Sequence, residues 1–246
     1  MKPKALLNRT ILVTGSTSGI GEATAKLLAE NGASLVLTGR NIDKLTALKK
    51  ELGASVALTI TADLTTHDGV QALIEQCPAL DGVVHSAGIV DPVAVKFLKA
   101  KHLQKTFAIN FEAPVLISSG LLAKGKINKN ASFVFISSVS SNHPYPGGAA
   151  YSASKNAIES FSRSLALEHS VSGIRSNCVA PAMVKTPIFD EFDEETMKKH
   201  GENYLLGFGE PIDVANSILF LLSPSSSWIT GTCMTLDGGL IIKHRK

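Results

Sequence analysis

The sequence of 246 residues is short of charge and of cysteine. Asp, Glu, Lys and Arg make up 18% of it, whereas ordinary globular domains carry about 25%. A large buried surface is therefore expected, and intrinsic disorder is excluded. The three cysteines are widely spaced and form no C-x-x-C pair, which excludes a disulfide framework and a zinc cluster. This cysteine usage fits a reducing compartment best.

The sequence also lacks the signals of several protein classes. Its net charge of +3 is spread along the chain, with no basic block before the last four residues, so no nucleic-acid partner is predicted. Residues 1–8 hold lysines but no apolar core of a signal peptide. The longest unbroken apolar run, residues 218–222, is far shorter than the ~20 residues of a membrane span. The histidines show no metal-ligand spacing, so no metal is predicted. We expect a cytoplasmic protein without a membrane partner.

Short apolar runs rich in β-branched residues alternate with longer segments of helical period. This alternation predicts parallel strands covered on both faces and joined by crossover helices. Strands are predicted at residues 10–14, 34–38, 55–60, 82–85, 132–137, 174–179 and 233–236. Helices are predicted at residues 20–30, 42–52, 66–75, 107–122, 151–169 and 211–222. The predicted fold class is α/β, a single domain over residues 1–246 with a doubly wound parallel sheet of seven strands and helices on both faces. Ligand is expected at the carboxyl ends of the strands.

A glycine-rich turn follows the first predicted strand and reads T-G-S-T-S-G-I-G from Thr14 to Gly21. Glycines there let the backbone approach a pyrophosphate, and the helix that follows offers free N–H groups to the anion. The spacing differs from the general G-x-G-x-x-G pattern, so a purely structural turn is the alternative. The predicted cofactor contacts in this turn are Gly15, Ser16, Ser18, Gly19, Ile20 and Gly21.

The end of the second predicted strand lacks the acidic residue that binds the ribose of NAD, and Arg40 stands there instead. A guanidinium can clamp a 2′-phosphate with two hydrogen bonds, so the sequence favours NADP over NAD. The alternative is that Arg40 only caps or solvates the loop. After the third strand, Asp63 and Leu64 are predicted to border the adenine, unless Asp63 caps the next helix.

Tyr151 and Lys155 are four residues apart in a predicted helix, which puts a phenol and an ammonium on one face. The ammonium stabilises the phenolate of a group whose ordinary pKa is about 10, so Tyr151 is a candidate acid/base. Ser138 follows the fifth strand, where its hydroxyl can donate to a carbonyl oxygen. Asn110 lies mid-helix, which is unfavourable unless its amide has a partner. A strand-end serine and a satisfied core asparagine are the structural alternatives.

In their order and spacing these residues resemble the short-chain dehydrogenase/reductase family, over residues 10 to about 239. The resemblance implies a Rossmann-type fold and an NAD(P)-dependent oxidoreductase. It assigns the general acid/base to Tyr151 and the orientation of the carbonyl to Ser138. Lys155 then holds the nicotinamide ribose and lowers the pKa of the phenol, and Asn110 anchors a water in a proton relay.

The same resemblance implies further contacts and an assembly. A homodimer or homotetramer is expected, with the outer faces of the helices at 107–122 and 151–169 packed against another subunit. Arg40 matches the NADP-preferring members. Two positions depart from the family pattern: Ser86 replaces an asparagine, and Ala182 replaces a glycine. The further implied cofactor contacts are Ala87, Gly88, Tyr151, Lys155, Pro181, Val184 and Thr186.

Competing motifs are weaker. Residues 152–155 match the S-x-x-K of serine acylases but lack its companion elements. Residues 120–126 nearly match a P-loop, but Ile127 stands where Ser or Thr must bind magnesium. A non-catalytic NADP-binding sensor or scaffold of the same fold stays open. Such a binder has no use for Tyr151 beside Lys155, so the enzyme is favoured.

The substrate is the least determined part. A lid is expected at about residues 187–210, between the sixth strand and the last long helix. The predicted substrate contacts are Ser138, Val139, His143, Tyr151 and Phe189. These walls offer no convergent arginine pair, which favours a neutral ketone or secondary alcohol. The chain resembles the 3-oxoacyl-acyl-carrier-protein reductase branch, and 3-oxoacyl, sugar and steroid-like substrates all stay open, as does the direction of the reaction.

Overall fold

One seven-stranded sheet forms the centre of the structure. The computed structural model describes residues 4–187, residue 195 and residues 200–243. The strands are β1 (Thr10–Thr14), β2 (Ser34–Gly39), β3 (Val56–Thr61), β4 (Leu80–His85), β5 (Ile127–Ile136), β6 (Arg175–Pro181) and β7 (Cys233–Leu236). All of them pair in parallel, in the order β3-β2-β1-β4-β5-β6-β7. The predicted parallel sheet of seven strands is confirmed.

Helices cover both faces of this sheet. They are α1 (Gly19–Glu30), α2 (Ile42–Leu52), α3 (His67–Gln76), α4 (Ala100–Phe107), α5 (Ala113–Ala123), α6 (Ala149–Glu168), α7 (Pro211–Leu222) and α8 (Leu240–Lys243). Buried residues of α1, α2 and α7 belong to one apolar core, and those of α3, α5 and α6 belong to another. The predicted doubly wound arrangement is therefore confirmed.

Strand β1 shows why the strands are continuously apolar. Ile11 and Val13 pack in the core shared with α1, α2 and α7, whereas Leu12 between them packs in the opposite core. All three are at most 1% exposed. Because successive side chains of a strand point to opposite faces, a strand covered on both faces has no position that favours a polar residue.

Strand β5 begins at Ile127, five residues before the predicted start. Its first half pairs irregularly with β4, because the register shifts between Leu80 and Gly82. Asn130 in this half has a φ of 60°. The half is polar and partly exposed, so it carries no apolar strand pattern, which is why the sequence did not indicate it.

The helix predicted at 107–122 begins earlier and is interrupted. It starts with α4 at Ala100, where Thr106 is the one buried residue, so the apolar period is weak there. A single π-helical turn, Ala108–Glu112, joins α4 to α5. By length and composition the run Ala100–Ala123 is the one described helix that could cross a membrane. The sequence analysis counted only unbroken apolar runs, so it did not single out this helix. Core helices pass the same test, and 44% of the most apolar window is buried inside this protein.

His85 is an enclosed imidazole at the end of β4. Its ring stacks on Phe135 with 4.8 Å between centroids, and its Nε2 lies 2.9 Å from Oγ of Ser118. Burial lowers the pKa of His85 from 6.5 to about 3. The folded chain therefore keeps the ring neutral at pH values where the unfolded chain protonates it. The resulting stability is present above pH 6.5 and is lost as the pH falls from 6.5 toward 3.

We expect the wild-type protein to lose about 2 kcal/mol more of its free energy of unfolding than His85→Asn when the pH falls from about 7 to about 5. The substitution removes the group that titrates in the unfolded chain but keeps a polar side chain for Ser118. Urea unfolding of both proteins at the two pH values measures the difference. Equal losses would contradict a neutral, buried His85.

Candidate active site

A cleft of about 730 Å³ opens at the carboxyl ends of the strands. It lies beside β1, whose two neighbours in the sheet are β2 and β4, so that the chain winds away in opposite directions. This switch point is where doubly wound sheets bind their ligands. The predicted site residues that line the cleft are Gly15, Ser18, Gly19, Ile20, Arg40, Asp63, Leu64, Ala87, Gly88, Ser138, Tyr151, Pro181, Val184 and Thr186.

The turn after β1 has room only for glycine at two positions. Gly15 has a φ of +63°, and a Cβ on it would lie 2.8 Å from the Cα of Ala87. A Cβ on Gly21 would lie 2.2 Å from the carbonyl oxygen of Gly15. The hydroxyl of Thr14 accepts hydrogen bonds from the N–H groups of Ser86 and Ala87, which ties the turn to the end of β4. The backbone of this turn is thus held in place with no Cβ at its closest contacts.

Helix α1 starts at this turn with an open N-terminus. Ser18 precedes the helix in an extended conformation and makes no side-chain capping bond. The first N–H groups of the helix therefore lie at the cleft without a side-chain cap. A backbone cradle at a helix N-terminus fits the pyrophosphate of a dinucleotide.

Two of the predicted contacts in this turn lie behind the cleft wall. Gly21 packs against the backbone of Gly15. Ser16 is fully buried and donates both its N–H and its hydroxyl to the carbonyl oxygen of Thr38. The prediction for Ser16 is corrected in this respect: both of its donors are used inside the protein, so it supports the turn from behind.

A side cavity of about 520 Å³ adjoins the same turn, and it is lined by Thr17, Ser18, Arg40, Asn41 and Lys44. Arg40 and Lys44 are both exposed, so two cations and two hydroxyls face one space. Such a set of donors fits a phosphate ester. Arg40 was predicted from the sequence, but Lys44, four residues later in the first turn of α2, was not.

Asp63 does not cap the helix that follows it. Its carboxylate accepts hydrogen bonds from the N–H and the hydroxyl of Thr65, at 3.0 and 2.7 Å. The cap of α3 is Thr66 instead. The bonds from Thr65, helped by the charge of Arg40, lower the pKa of Asp63. An ionised carboxylate therefore borders the cleft beside Leu64, where the adenine is predicted.

Tyr151, Ser138 and Lys155 meet at the other end of the cleft. Tyr151 and Lys155 lie on the same face of α6, with Nζ of Lys155 5.6 Å from the centroid of the Tyr151 ring. The hydroxyl of Ser138 lies near enough to the phenol of Tyr151 to lower its pKa. Lys155 is 5% exposed and donates to the carbonyl oxygen of Ile136 at 2.7 Å, at the end of β5. The structure thus brings together three residues that are up to 17 positions apart in the sequence.

Without a bound ligand, burial is the largest influence on the pKa values of Tyr151 and Lys155. It raises the pKa of Tyr151 to about 12, although the nearby hydroxyl of Ser138 acts in the opposite direction. It lowers the pKa of Lys155 to about 8. Lys155 was expected to lower the pKa of the phenol, but in the structure desolvation has the larger effect and raises this pKa. Positive charge added nearby by a ligand would favour the phenolate.

Asn110 lies in the π-helical turn and is 2% exposed. Its Oδ1 accepts the N–H of Ile89, and its Nδ2 donates to the carbonyl oxygen of Ile89 and to Oγ of Ser154. A Cβ on Gly88 would lie 3.0 Å from Oδ1 of Asn110 and 3.5 Å from Nζ of Lys155. Because both Nδ2 protons are used, the side chain of Asn110 holds the turn after β4 beside Lys155. Its part in a proton relay stays a prediction.

The substrate side of the cleft differs from the prediction. Val139 and His143 are not on the cleft wall, and His143 is exposed in the loop after β5. Phe189 lies outside the described residues, as do 188–194 and 196–199 of the predicted lid. The cleft wall also includes Ile89, Val90, Gln104, Lys105, Ala108 and Ile109. A wall was expected from the stretch after Gly88, but none was expected from the last four residues. The first two follow Gly88 directly, and the others belong to the helical run whose start was placed too late.

The chain is similar to known reductases and dehydrogenases over almost its whole length. A family model described as enoyl-(acyl carrier protein) reductase matches residues 15–241. The 3-oxoacyl-acyl-carrier-protein reductase FabG of Rickettsia felis is 32% identical over 96% of this chain and 98% of that protein. The glucose 1-dehydrogenase of Gluconobacter oxydans is 34% identical over 95% of this chain and 92% of that protein. A solved short-chain dehydrogenase/reductase structure from Brucella melitensis, a glucose/ribitol dehydrogenase, has a TM-score of 0.89 at 30% identity and covers 98% of this chain and 99% of its own.

Proposed function

The chain belongs to the short-chain dehydrogenase/reductase family of NAD(P)-dependent oxidoreductases, and we propose that it is a NADPH-dependent carbonyl reductase that interconverts a ketone and a secondary alcohol. The observation that carries the proposal is the grouping of Tyr151, Ser138 and Lys155 at one end of a cleft whose other end fits a dinucleotide. A protein that only bound the nucleotide would need the end that fits the dinucleotide, but it would not need the end with Tyr151, Ser138 and Lys155.

When bound in the cleft, a nicotinamide cofactor would supply the hydride that adds to the carbonyl carbon. Ser138 donates a hydrogen bond to the carbonyl oxygen, and Tyr151 delivers a proton to the same oxygen as negative charge develops there. Lys155 donates a hydrogen bond to the carbonyl oxygen of Ile136. At pH values below about 8, the pKa of Lys155, its ammonium is positively charged and stabilises the phenolate that remains on Tyr151. In the reverse direction the phenolate accepts the proton of the alcohol, so oxidation is favoured at high pH.

The preference for NADPH rests on the side cavity. Arg40 and Lys44 place two positive charges where a 2′-phosphate would lie, and the hydroxyls of Thr17 and Ser18 add donors. NADH would leave these cations without an anionic partner. NAD stays the alternative cofactor, because the ribose hydroxyl of NADH can also accept hydrogen bonds from the same side chains.

Arg40→Asp is expected to weaken NADPH binding by about 100-fold and to leave NADH binding equal or improved. A charge-assisted hydrogen bond contributes about 1.5 to 3 kcal/mol, and the new carboxylate also repels the phosphate. Quenching of protein fluorescence by each cofactor measures both dissociation constants. Lys49→Asp is the matched control, since it reverses the same charge on an exposed part of α2. An unchanged ratio of NADPH to NADH affinity in Arg40→Asp would contradict the assignment.

We infer a neutral ketone or secondary alcohol of the 3-oxoacyl, sugar or steroid type as the substrate. The relatives named above act on different substrates by their names, an acyl chain in one and glucose in another. Lys105 adds a cation to the cleft wall, but its Nζ lies 3.1 Å from Oδ2 of Asp91. This pairing leaves little free positive charge for an anionic substrate.

A homodimer or homotetramer is part of the proposal. Leu103 and Leu116, on α4 and α5, are 43% and 49% exposed, and Leu167 on α6 is 79% exposed. Large apolar side chains on neighbouring helix surfaces are suited to burial against a second subunit. A monomeric mass in solution would contradict this part of the proposal.

The direct test mixes the protein with NADPH and a 3-oxoacyl thioester, a sugar ketone or a steroid ketone, and follows the loss of NADPH absorbance. We expect turnover with at least one of these substrates. If NADPH bound tightly and no ketone of the panel were reduced, the result would favour a non-catalytic sensor or scaffold over an enzyme.

A further inference from the structure

Glu159 is the only buried carboxylate in the described part of the chain. It lies on α6 one helical turn after Lys155, is 2% exposed, and takes no part in the reaction proposed above. A carboxylate removed from water is costly unless it is well hydrogen-bonded. Its partners therefore indicate what the group does.

Two serine hydroxyls supply the main partners of this carboxylate. Oε1 of Glu159 accepts hydrogen bonds from Oγ of Ser137 at 2.6 Å and from Oγ of Ser141 at 2.7 Å. Oε2 lies 3.3 Å from Nη2 of Arg163, whose side chain is 55% exposed. The short hydroxyl contacts are charge-assisted and buried, whereas the contact with Arg163 is long and reaches solvent.

The two serines stand on either side of Ser138. Ser137 is the last residue before it, and Ser141 ends the short helical turn that follows it. Within this segment, Oγ of Ser138 accepts the N–H of Ser140 at 3.2 Å and the hydroxyl of Ser140 at 3.0 Å. Both acceptor positions of the Ser138 hydroxyl are thus filled from inside the segment. Its own proton is left for a partner on the cleft side, where Tyr151 lies.

We propose that Glu159 is a positioning residue: its carboxylate clamps both ends of segment 137–141 to α6 and so aims the hydroxyl of Ser138 at the carbonyl oxygen of the substrate. The aim of Ser138 matters only if the protein is the carbonyl reductase proposed above, on which this inference rests. Small displacements of a group that orients the reacting atoms lower the rate without changing how tightly the substrate binds.

The test uses Glu159→Gln and Ser141→Ala. Glu159→Gln replaces the charged acceptor that both serines share, and Ser141→Ala removes one of its two hydroxyl partners. We expect Glu159→Gln to lower kcat about 10-fold or more, with KM for the ketone and the dissociation constant for NADPH unchanged. Adding Ser141→Ala to Glu159→Gln should lower kcat no further, because the two changes release the same contact.

Hydrogen–deuterium exchange reports the clamp without any turnover. The N–H groups of Ser140, Ser141 and His143 are all hydrogen-bonded within the loop after β5. Their exchange should be at least about 10-fold faster in Glu159→Gln, while the exchange of α1 and β1 stays as in the wild type.

Two controls separate positioning from general support of the fold. Glu168→Gln removes an exposed charge from the same helix and should change neither kcat nor exchange. Arg163→Gln breaks only the solvent-exposed contact and should also leave kcat unchanged. Normal kcat and normal exchange in Glu159→Gln and Ser141→Ala would overturn the proposal. The proposal would also be overturned if Glu159→Gln and Arg163→Gln both lost NADPH affinity, kcat and thermal stability together, because such a loss would indicate a purely structural role. A wild-type protein that reduced no ketone, while Glu159→Gln still freed the loop, would count against the proposed function and not against the clamp.

Discussion

Tyr151→Phe is expected to lower kcat for ketone reduction by about 10³-fold while NADPH binds as in the wild type. General acid catalysis by a positioned side chain contributes about 10² to 10⁴ in rate. The substitution removes only the phenolic hydroxyl, which lies near Ser138 at the cleft wall. The ring and its packing against Lys155 remain. Steady-state kinetics and a fluorescence titration with NADPH measure the two quantities.

Tyr145→Phe is the matched control for this experiment. Tyr145 lies near enough to raise the pKa of Tyr151 further, but its ring rests over Gly148 and does not line the cleft. Its loss should change kcat by less than about 10-fold. If the two variants were equally active, Tyr151 would not be the proton donor, and the proposed mechanism would fail at its central step.

Gly21→Ala is expected to abolish measurable NADPH binding and to lower the free energy of unfolding by about 1 to 3 kcal/mol, the usual cost of forcing an extra methyl group into a packed site. The new Cβ would lie 2.2 Å from the carbonyl oxygen of Gly15 and 2.8 Å from its carbonyl carbon. Both are backbone atoms, so no flexible side chain can move aside. The turn that we propose binds the pyrophosphate must shift as a whole, and the shift breaks its hydrogen bonds to the end of β4.

Gly201→Ala is the matched control for the glycine experiment. A Cβ there would meet only the ring of Phe208, at an ordinary 3.5 Å. Both stability and NADPH affinity should stay within experimental error of the wild type. Urea unfolding and cofactor titration of the two variants side by side test the prediction. Tight NADPH binding by Gly21→Ala would refute the role given to this turn.

The sequence predicted the sheet, the glycine-rich turn and the pairing of Tyr151 with Lys155. Strands β1 and β7 begin and end where predicted. In β1 the apolar residues Ile11–Val13 are covered on both faces, which gives a clear pattern, whereas β7 is a partly buried edge strand. Glycine spacing indicated the phosphate turn, since few other residues tolerate such close backbone contacts. The i, i+4 spacing of Tyr151 and Lys155 indicated their shared face, because helix geometry is fixed by the backbone.

The parts that sequence reasoning missed depend on tertiary contacts. The polar start of β5 is held by pairing with β4, which leaves no apolar pattern to recognise. Lys44 is only four residues from Arg40, but the cavity that they share also needs Thr17 and Ser18 of the turn after β1. Burial, not the neighbouring ammonium, dominates the pKa of Tyr151, and burial cannot be read from spacing. Ser16 was assigned to the cleft by its place in the motif, yet its hydroxyl turns inward to Thr38.

The parallel pairing of all seven strands has a consequence for how the chain reaches its folded state. Ile11 pairs with Gly82, and the glycine-rich turn after β1 lies against Ala87 and Thr186, which come from far along the sequence. Each such contact forms only after a long loop has closed, which costs conformational entropy. The contact order is therefore high, and we expect slow folding for a chain of this length. The cleft does not exist until most of the sheet has assembled. The cofactor therefore cannot guide early folding, but once bound it holds the finished protein against unfolding by mass action.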